Sequence, residues 1–286
     1  MEALWSPEPI IYIQRFFGKS WDWFFQTITQ LGEVTGIAIV FALLFWLLGR
    51  HQAWCLVGAV VVITAVNMLI WSAVDIPRPD HPEIKVYREV SLSSFPSGHT
   101  GTATILWGML TKLGHVQLVI SVIVIILVML SRLYLGAHYI GDVIGGLIIG
   151  LILLQIYPRI WGVVWQWFNG RTFKIFLVLG LSIPIVVFPF ADSFPEGWEV
   201  FGAATGAAIG VPLELWYVQY SPAKISTQKQ IFKLVMGLGV LAVIIFTSHF
   251  LIENEALHDT ISFSLGAFWI LFLAPMLFKR AGFSRN

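Results

Sequence analysis

The chain has 286 residues, of which 57% are hydrophobic and 12% are charged, and its mean hydropathy is +0.81. This composition lies outside the range of freely soluble domains and excludes an intrinsically disordered chain. The 17 Lys and Arg residues against 16 Asp and Glu residues leave a formal charge of +1, which excludes a strongly basic nucleic-acid-binding protein. We therefore expect an integral membrane protein. Its single cysteine, Cys55, allows neither an intramolecular disulfide nor a Cys-rich metal cluster.

Residues 8–29 precede the first long apolar segment and mix many aromatic and aliphatic side chains with Arg15, Lys19 and Asp22. This mixture is typical of an amphipathic helix that lies in the membrane interface. We expect no signal peptide here, because Glu2 and Glu8 stand where such a peptide has basic residues.

Nine apolar segments follow along the chain. A bilayer core about 30 Å thick needs a helix of about 20 apolar residues, because lipid does not tolerate backbone groups without hydrogen bonds. The segments lie near residues 31–48, 53–74, 98–113, 117–135, 139–157, 172–190, 199–218, 231–252 and 259–279, and the third is short. The sequence thus predicts an all-α, polytopic bundle of about nine transmembrane helices plus the interfacial helix.

The loops between these segments differ in charge. One side of the predicted bundle carries eleven Lys and Arg residues, whereas the other carries six together with nearly all of the acidic residues. Because Lys and Arg are retained on the cytoplasmic side, we expect the amino terminus outside and the carboxy terminus in the cytoplasm. The long hydrophilic loop over residues 75–97 then faces away from the cytoplasm.

Three polar segments of the first half fall at helix ends on this outer side. Residues 75–79 close the second span, and Pro79 prevents the helix from continuing beyond Arg78. Residues 96–99 open the third span, and a helix that begins there points free N–H groups and the positive end of its dipole at an anion outside it. Residues 131–142 join the fourth and fifth spans.

His138 and Asp142 in the last of these segments are four residues apart, which predicts that they share one face of a helix. A carboxylate placed there accepts a hydrogen bond from one ring nitrogen and leaves the other nitrogen free. The three segments together supply two guanidinium groups, a helix amino terminus, two imidazoles and one carboxylate at a common membrane depth.

This set of groups is typical of phosphoryl transfer. Guanidinium forks match phosphate oxygens, and charge that grows on those oxygens needs fixed donors. One imidazole can attack phosphorus while the other protonates the departing oxygen. We expect no metal ion and no other cofactor, because arginines and backbone amides supply the electrostatic stabilisation.

The three segments, in this order, resemble the signature of the type 2 phosphatidic acid phosphatase family, which includes lipid phosphate phosphatases, isoprenoid diphosphate phosphatases and glucose-6-phosphatase. The family pattern has a Lys, six residues and Arg-Pro, then Pro-Ser-Gly-His, then Ser-Arg, five residues, His, three residues and Asp. Residues 96–99 and 131–142 match completely, and Arg78 with Pro79 matches the end of the first piece.

The resemblance implies a role for each matching side chain. It makes His138 the nucleophile that forms a phosphohistidine, with Asp142 holding it, and makes His99 the general acid that protonates the leaving group. The residues implied to bind the phosphoryl oxygens are Arg78, Ser97, Gly98 and Arg132. The family core of six helices implies a phosphatase domain over residues 1–157, and residues 158–286 then add four helices of unknown role.

One position departs from the family pattern. The residue seven before Arg78, where the family has lysine, is Trp71, so one cationic contact is missing. Lys85 or Arg88 from the outer loop is a candidate replacement, although a charge on a solvated loop is the simpler interpretation of both. The departure affects the expected substrate range more than the expected reaction.

The resulting prediction is a phosphatase of the plasma or inner membrane that hydrolyses lipid or isoprenoid phosphates or diphosphates at the extracytoplasmic face. Its expected partners are this substrate and the membrane, with no nucleic acid. Two alternatives stay open. A phosphotransferase of the same family uses the same residues but passes the phosphoryl group to another lipid, and a multi-span transporter or anion-binding protein retains only the pocket.

Overall fold

A computed structural model of the protein describes residues 2–87, 93–168, 173–193 and 196–285. These residues form helices and no β-strand; the single β-type pairing among them is an isolated bridge between Pro222 and Ser284. The prediction of an all-α protein is therefore confirmed.

Twelve α-helices follow one another among the described residues. Numbered in chain order, they are α1 (Glu8–Phe17), α2 (Asp22–Thr29), α3 (Val34–Leu48), α4 (Arg50–Ala73), α5 (Gly98–Lys112), α6 (Leu118–Tyr134), α7 (Ile140–Phe168), α8 (Phe173–Val187), α9 (Gly197–Leu213), α10 (Thr227–Leu251), α11 (Glu255–Phe268) and α12 (Ala274–Arg280). Short 3-10 turns and two π-helical segments, Glu214–Val218 and Trp269–Leu273, join some of them.

Fewer than nine helices among the described residues are long and apolar enough to cross a bilayer. Among the described residues, four helices are long and apolar enough, namely α4, α7, α10 and the continuous helix Glu255–Arg280. A fifth is added if the pair Lys19–Gly32 and Gly36–Leu48, bent by 54°, counts as one span. All nine predicted segments contain helix, but several are short: α5 has 15 residues, which reach about 22 Å. The count of nine is not confirmed.

The expectation of one interfacial helix over residues 8–29 is wrong in detail. The segment forms α1 and α2, which are separated at Gly18, where φ is 66° and only glycine is free of strain. Part of its aromatic surface is buried in the protein, since Phe25 is fully buried and stacks on Tyr134 of α6 at 4.1 Å between ring centroids. An aromatic side chain that has a protein partner is not available to the lipid interface.

Contacts divide the chain into two compact units. Unit 1 comprises Met1–Ile37 and Trp54–Val164, and unit 2 comprises Ala38–Ala53 and Trp165–Asn286. The functional boundary expected at residue 157 is a different division and stays a prediction.

Unit 1 contains all three polar segments, and glycines of α7 bring two of them together. A methyl group added at Gly146 would lie 2.5 Å from the carbonyl oxygen of Ser97, and one at Gly150 would lie 2.6 Å from Cβ of Thr104. The backbone of α7 therefore lies directly against the first turns of α5, which holds the amino terminus of α5 beside the start of α7.

Unit 2 uses small residues in the same way. Methyl groups added at Gly202 or Gly206 of α9 would collide with the backbone of α11 at Thr260 and Ser264. Spacing of small residues by four positions lets two helices approach closely in a membrane, and these glycines serve that packing.

Candidate active site

Arg78 and Arg132 reach the site from different segments. The Nη1 of Arg78 donates to the carbonyl oxygen of Ala137 at 3.0 Å, so the first polar segment is bonded to the main chain just before His138. The Nη1 of Arg132 donates to Oγ1 of Thr29 at 2.7 Å, and Arg132 is only 8% exposed. Both guanidinium groups are thus fixed by hydrogen bonds to protein oxygens.

The turn before α5 carries the second segment. Ser97 is fully buried in extended backbone conformation and precedes the first residue of α5, Gly98. The N–H of Ser97 donates to the carbonyl oxygen of Asp142 at 3.0 Å, and Oγ of Ser97 accepts from the hydroxyl of Thr100 at 3.1 Å. These bonds connect the second segment to the third, as the resemblance requires.

His138 is buried, with 2% of its surface exposed, and lies in the segment that precedes α7. The shared helical face predicted for His138 and Asp142 is therefore wrong, because α7 begins only at Ile140. Burial, helped by the charges of Arg132 and Arg78, holds the pKa of His138 well below its usual range despite the opposing effect of Asp142. The imidazole is therefore neutral at neutral pH, which is the form that can act as a nucleophile.

Asp142 is completely buried and lies close to His138 without a hydrogen bond to it. Its Oδ2 is 3.6 Å from Nδ1 of His138, beyond normal hydrogen-bond length, and Nδ1 has no other hydrogen-bond partner in the part of the chain that the structure describes. Instead Oδ2 accepts from the N–H of Tyr139 at 2.8 Å, and Oδ1 accepts from the indole of Trp5 at 3.2 Å. The carboxylate caps α7 and supplies negative charge beside Nδ1.

His99 is the second residue of α5, and its Nε2 lies 3.1 Å from Oε1 of Glu33. The charges of Arg132 and Arg78 act on this imidazole as they do on His138. Two histidines that are 39 positions apart in the chain therefore lie in the field of the same two arginines. Sequence analysis left Glu33 unassigned; its one signal is an acidic residue at the edge of an apolar segment.

Trp71 supports the turn at the position where the family has lysine. Its indole N–H donates to the carbonyl oxygen of Pro96 at 2.9 Å, and its ring lies 3.2 Å from where a Cβ of Gly98 would stand. The aromatic ring thus packs on the backbone that precedes His99.

Of the two candidate replacements for the missing lysine, the structure describes only Lys85. Lys85 binds Asp22, with Nζ 3.1 Å from Oδ2, and lies over the ring of Tyr87 at 4.0 Å from its centroid. This partner on α2 makes Lys85 part of a surface ion pair. Arg88 lies outside the described residues.

The described residues offer no preformed metal site. Among the described residues, no group of three or more His, Cys, Asp or Glu side chains is arranged to hold a metal ion. A reaction without a metal or other cofactor stays a prediction. The described groups can bind a phosphate oxyanion, present a neutral imidazole to phosphorus and supply a second imidazole for proton transfer.

Comparison with known proteins gives two family matches. Residues 52–172 match the model of the PAP2 superfamily, and residues 198–286 match the model described as PAP2 superfamily phosphatase, transmembrane extension. Together the two matches cover more than half of the chain. The second match falls on helices to which sequence analysis gave no role.

Individual relatives are more distant. The chain is 38% identical over 99 residues to the decaprenylphosphoryl-5-phosphoribose phosphatase of two Mycobacterium tuberculosis strains, CDC 1551 / Oshkosh and ATCC 25618 / H37Rv, which is 33% of this chain and 53% of each relative. It therefore spans about half the length of these curated relatives. A phosphatidylglycerolphosphate phosphatase of the PAP2 type from Bacillus subtilis has a solved structure that is 22% identical, with a TM-score of 0.45, over 58% of this chain and 87% of that chain.

The family named from three short motifs is thus confirmed by matches over both halves of the chain. These matches also support the prediction of a phosphoric ester hydrolase with several membrane-spanning helices. The site residues predicted from the sequence all lie between Arg78 and Asp142, inside the first matched region. The chain is a membrane-integral member of the PAP2 superfamily.

Proposed function

We propose that the protein is a membrane phosphatase that hydrolyses phosphate monoesters or diphosphates of lipids or isoprenoids through a phosphohistidine intermediate. The observation that carries the proposal is that hydrogen bonds join the three segments: Arg78 donates to the main chain just before His138, and Ser97, two residues before His99, donates to the main chain of Asp142. Two fixed cations bind one tetrahedral anion, and two imidazoles on that anion supply a nucleophile and an acid.

In the first step His138 attacks phosphorus. Its Nδ1 is the nitrogen beside Asp142, so Nε2 is the nitrogen available for attack. A bond forms between Nε2 and phosphorus while the bond to the leaving oxygen breaks, and His99 gives its proton to that oxygen. The negative charge of Asp142 stabilises the positive charge that develops on the His138 ring.

In the second step water releases the phosphate. The now neutral His99 takes a proton from water as its oxygen attacks phosphorus, and the bond to His138 breaks. Arg78, Arg132 and the backbone around Ser97 and Gly98 bind the phosphoryl oxygens in both steps. The first turn of α5 directs free N–H groups at an anion in this position.

A lipid or isoprenoid phosphate is the proposed substrate class. The relatives from Mycobacterium tuberculosis are named for a decaprenylphosphoryl compound, and helices of this chain are long and apolar enough to cross a bilayer. A head group can reach a site at helix ends while its tail stays in the membrane. Loop charge favours the extracytoplasmic face of the plasma or inner membrane, with the amino terminus outside.

We also propose that the two parts of the chain have different roles. Residues 1–157 form the phosphatase core, because every proposed catalytic and binding residue falls there. Residues 158–286 contribute further membrane helices. Their match to a transmembrane extension of the same superfamily supports a role in the membrane.

Phosphate release by purified, detergent-solubilised protein tests the proposal. We expect turnover of one or more of phosphatidic acid, phosphatidylglycerol phosphate and undecaprenyl diphosphate, and loss of that turnover in His138→Ala. Turnover of glucose 6-phosphate without turnover of any lipid contradicts the substrate class. A phosphorylated lipid acceptor among the products indicates a phosphotransferase instead, and transport that survives in His138→Ala without any phosphate release indicates a transporter.

A further inference from the structure

Glu33 contacts the imidazole that the proposed mechanism uses as its acid. Oε1 of Glu33 and Nε2 of His99 are 3.1 Å apart, and the two side chains are only 16% and 20% exposed. This contact joins distant parts of the chain, because Glu33 precedes α3 whereas His99 belongs to the first turn of α5. Sparse solvent access strengthens an ion pair of this kind relative to one on the surface.

The backbone next to Glu33 is fitted to the same helix turn. A Cβ at Gly32 would lie 3.0 Å from the carbonyl oxygen of His99, so the main chain of the Gln30–Gly32 turn runs directly against that residue. The N–H of Glu33 donates to Gln30 at 3.1 Å, and its carbonyl oxygen accepts from Ile37 at 3.0 Å. The carboxylate thus extends from a fixed backbone segment.

The negative charge of Glu33 affects the protonation of His99. Burial opposes a positive charge on His99, and so do the two arginines proposed to bind phosphate, whereas the hydrogen bond and the charge of Glu33 favour it. A general acid must carry its proton when the leaving oxygen departs. Without a local negative charge, the cations needed for phosphate binding would work against the acid needed for bond cleavage.

The hydrogen bond to Glu33 also indicates which role each ring nitrogen of His99 has. When Nε2–H donates to the carboxylate, Nδ1 is the nitrogen that carries the transferable proton. We propose that Glu33 is a positioning residue that holds His99 by Nε2 and stabilises its protonated form, so that Nδ1 delivers the proton to the leaving oxygen. This inference rests on the proposed phosphatase function.

The proton balance is simple. In the first step the bond between phosphorus and the leaving oxygen breaks with its electron pair on oxygen, and the Nδ1 proton of His99 moves to that oxygen. His99 becomes neutral and keeps its Nε2–H on Glu33. In the second step Nδ1 takes a proton from the attacking water, which restores the protonated ring.

Two substrates with different leaving groups test the inference on the full-length protein. Short-chain phosphatidic acid releases an alkoxide that needs a proton, whereas p-nitrophenyl phosphate releases a phenolate that leaves without one. For Glu33→Gln we expect kcat to fall about 10- to 100-fold on phosphatidic acid and less than about threefold on the aryl phosphate. His99→Ala should show the same selectivity, and Glu33→Gln should add no further loss to it.

Two further variants make the outcome clear. Glu33→Asp keeps the charge and should recover part of the activity on phosphatidic acid. Glu83→Gln removes another carboxylate of unit 1, one that pairs with Arg15 at the exposed surface, and should leave both activities unchanged. Activity on the aryl phosphate reports that each variant is folded.

Equal losses on both substrates, no loss on either, or a loss that adds to that of His99→Ala would overturn the role of Glu33. The function itself is tested separately by His138→Ala. If that variant releases phosphate at the unaltered rate, the proposed function fails; if it is inactive while Glu33→Gln lacks the selective loss, only the inference about Glu33 fails.

Discussion

In the proposed mechanism Asp142 assists His138 through charge, because its oxygens already accept hydrogen bonds from Tyr139 and Trp5. We expect Asp142→Asn, which keeps the shape and removes the charge, to slow phosphoenzyme formation by about 100-fold or more. Trp5→Phe is the matched control, since it removes one hydrogen bond to Asp142 and leaves the charge; its loss should stay below about tenfold. Rapid-quench measurement of the phosphoenzyme compares the two variants, and equal losses would contradict a role based on charge.

His138 should resist protonation in mildly acidic solution. Its pKa is lowered from the usual value, chiefly by burial, so the ring stays neutral as the pH falls through the range in which an exposed imidazole takes up a proton. NMR of protein with labelled histidine rings, assigned with the His138→Ala variant, measures this directly. We expect no titration of His138 between about pH 6 and 8. A midpoint near the ordinary imidazole value would show that the ring is not buried.

At the scale of helices, the contact between α5 and α7 determines the position of the turn before α5, which we propose binds phosphate. Gly146→Ala adds a methyl group 2.5 Å from the carbonyl oxygen of Ser97, and backbone must move to accept it. Overpacking costs about 1–3 kcal/mol, which exceeds the gain of up to about 1 kcal/mol from replacing a helical glycine. We expect lower thermal stability in detergent and a larger proportional loss of phosphatase activity.

Gly162 provides the comparison within the same helix. A methyl group there meets no atom within 4 Å among the described residues, so Gly162→Ala should be neutral or slightly stabilising and fully active. If both alanine variants behave alike, close packing of α7 on α5 does not position the turn.

The elements also show what periodicity and composition can predict. Long apolar segments predicted helices at nearly the right positions, since burial of backbone hydrogen bonds in lipid leaves few other structures. The division at Gly18 was missed because an amphipathic pattern runs through both α1 and α2. The count of nine spans is not confirmed, since an apolar helix such as α6 has only 17 residues.

Motif reasoning could select the candidate site residues because they occur in fixed spacing along the chain. Arg78, Ser97 and Asp142 are joined by short hydrogen bonds to one another's segments, as the order of motifs implies. Sequence analysis did not identify Glu33 and Trp5, because they contact His99 and Asp142 from the distant amino-terminal region. No spacing rule connects them to the motifs, so only the fold reveals them.

For the whole molecule, the orientation in the membrane rests on loop charge and can be tested within unit 1. Glu83 lies in the loop after α4 and Gln117 in the loop between α5 and α6, and both are exposed. Glu83→Cys should react with a membrane-impermeant maleimide on intact cells, whereas Gln117→Cys should react only after permeabilisation. Cys55 is buried and gives little background. The opposite pattern would place the site on the cytoplasmic face.

The most direct test of the account is the identity of the phosphorylated side chain during turnover. Protein that is mixed with radiolabelled phosphatidic acid and quenched in alkali, which preserves phosphohistidine, can be digested and mapped by mass spectrometry. The account predicts label on His138, none in His138→Ala, and slow formation of label in His99→Ala. Label on another residue, or turnover of a lipid phosphate by His138→Ala at the rate of the unaltered protein, would contradict it.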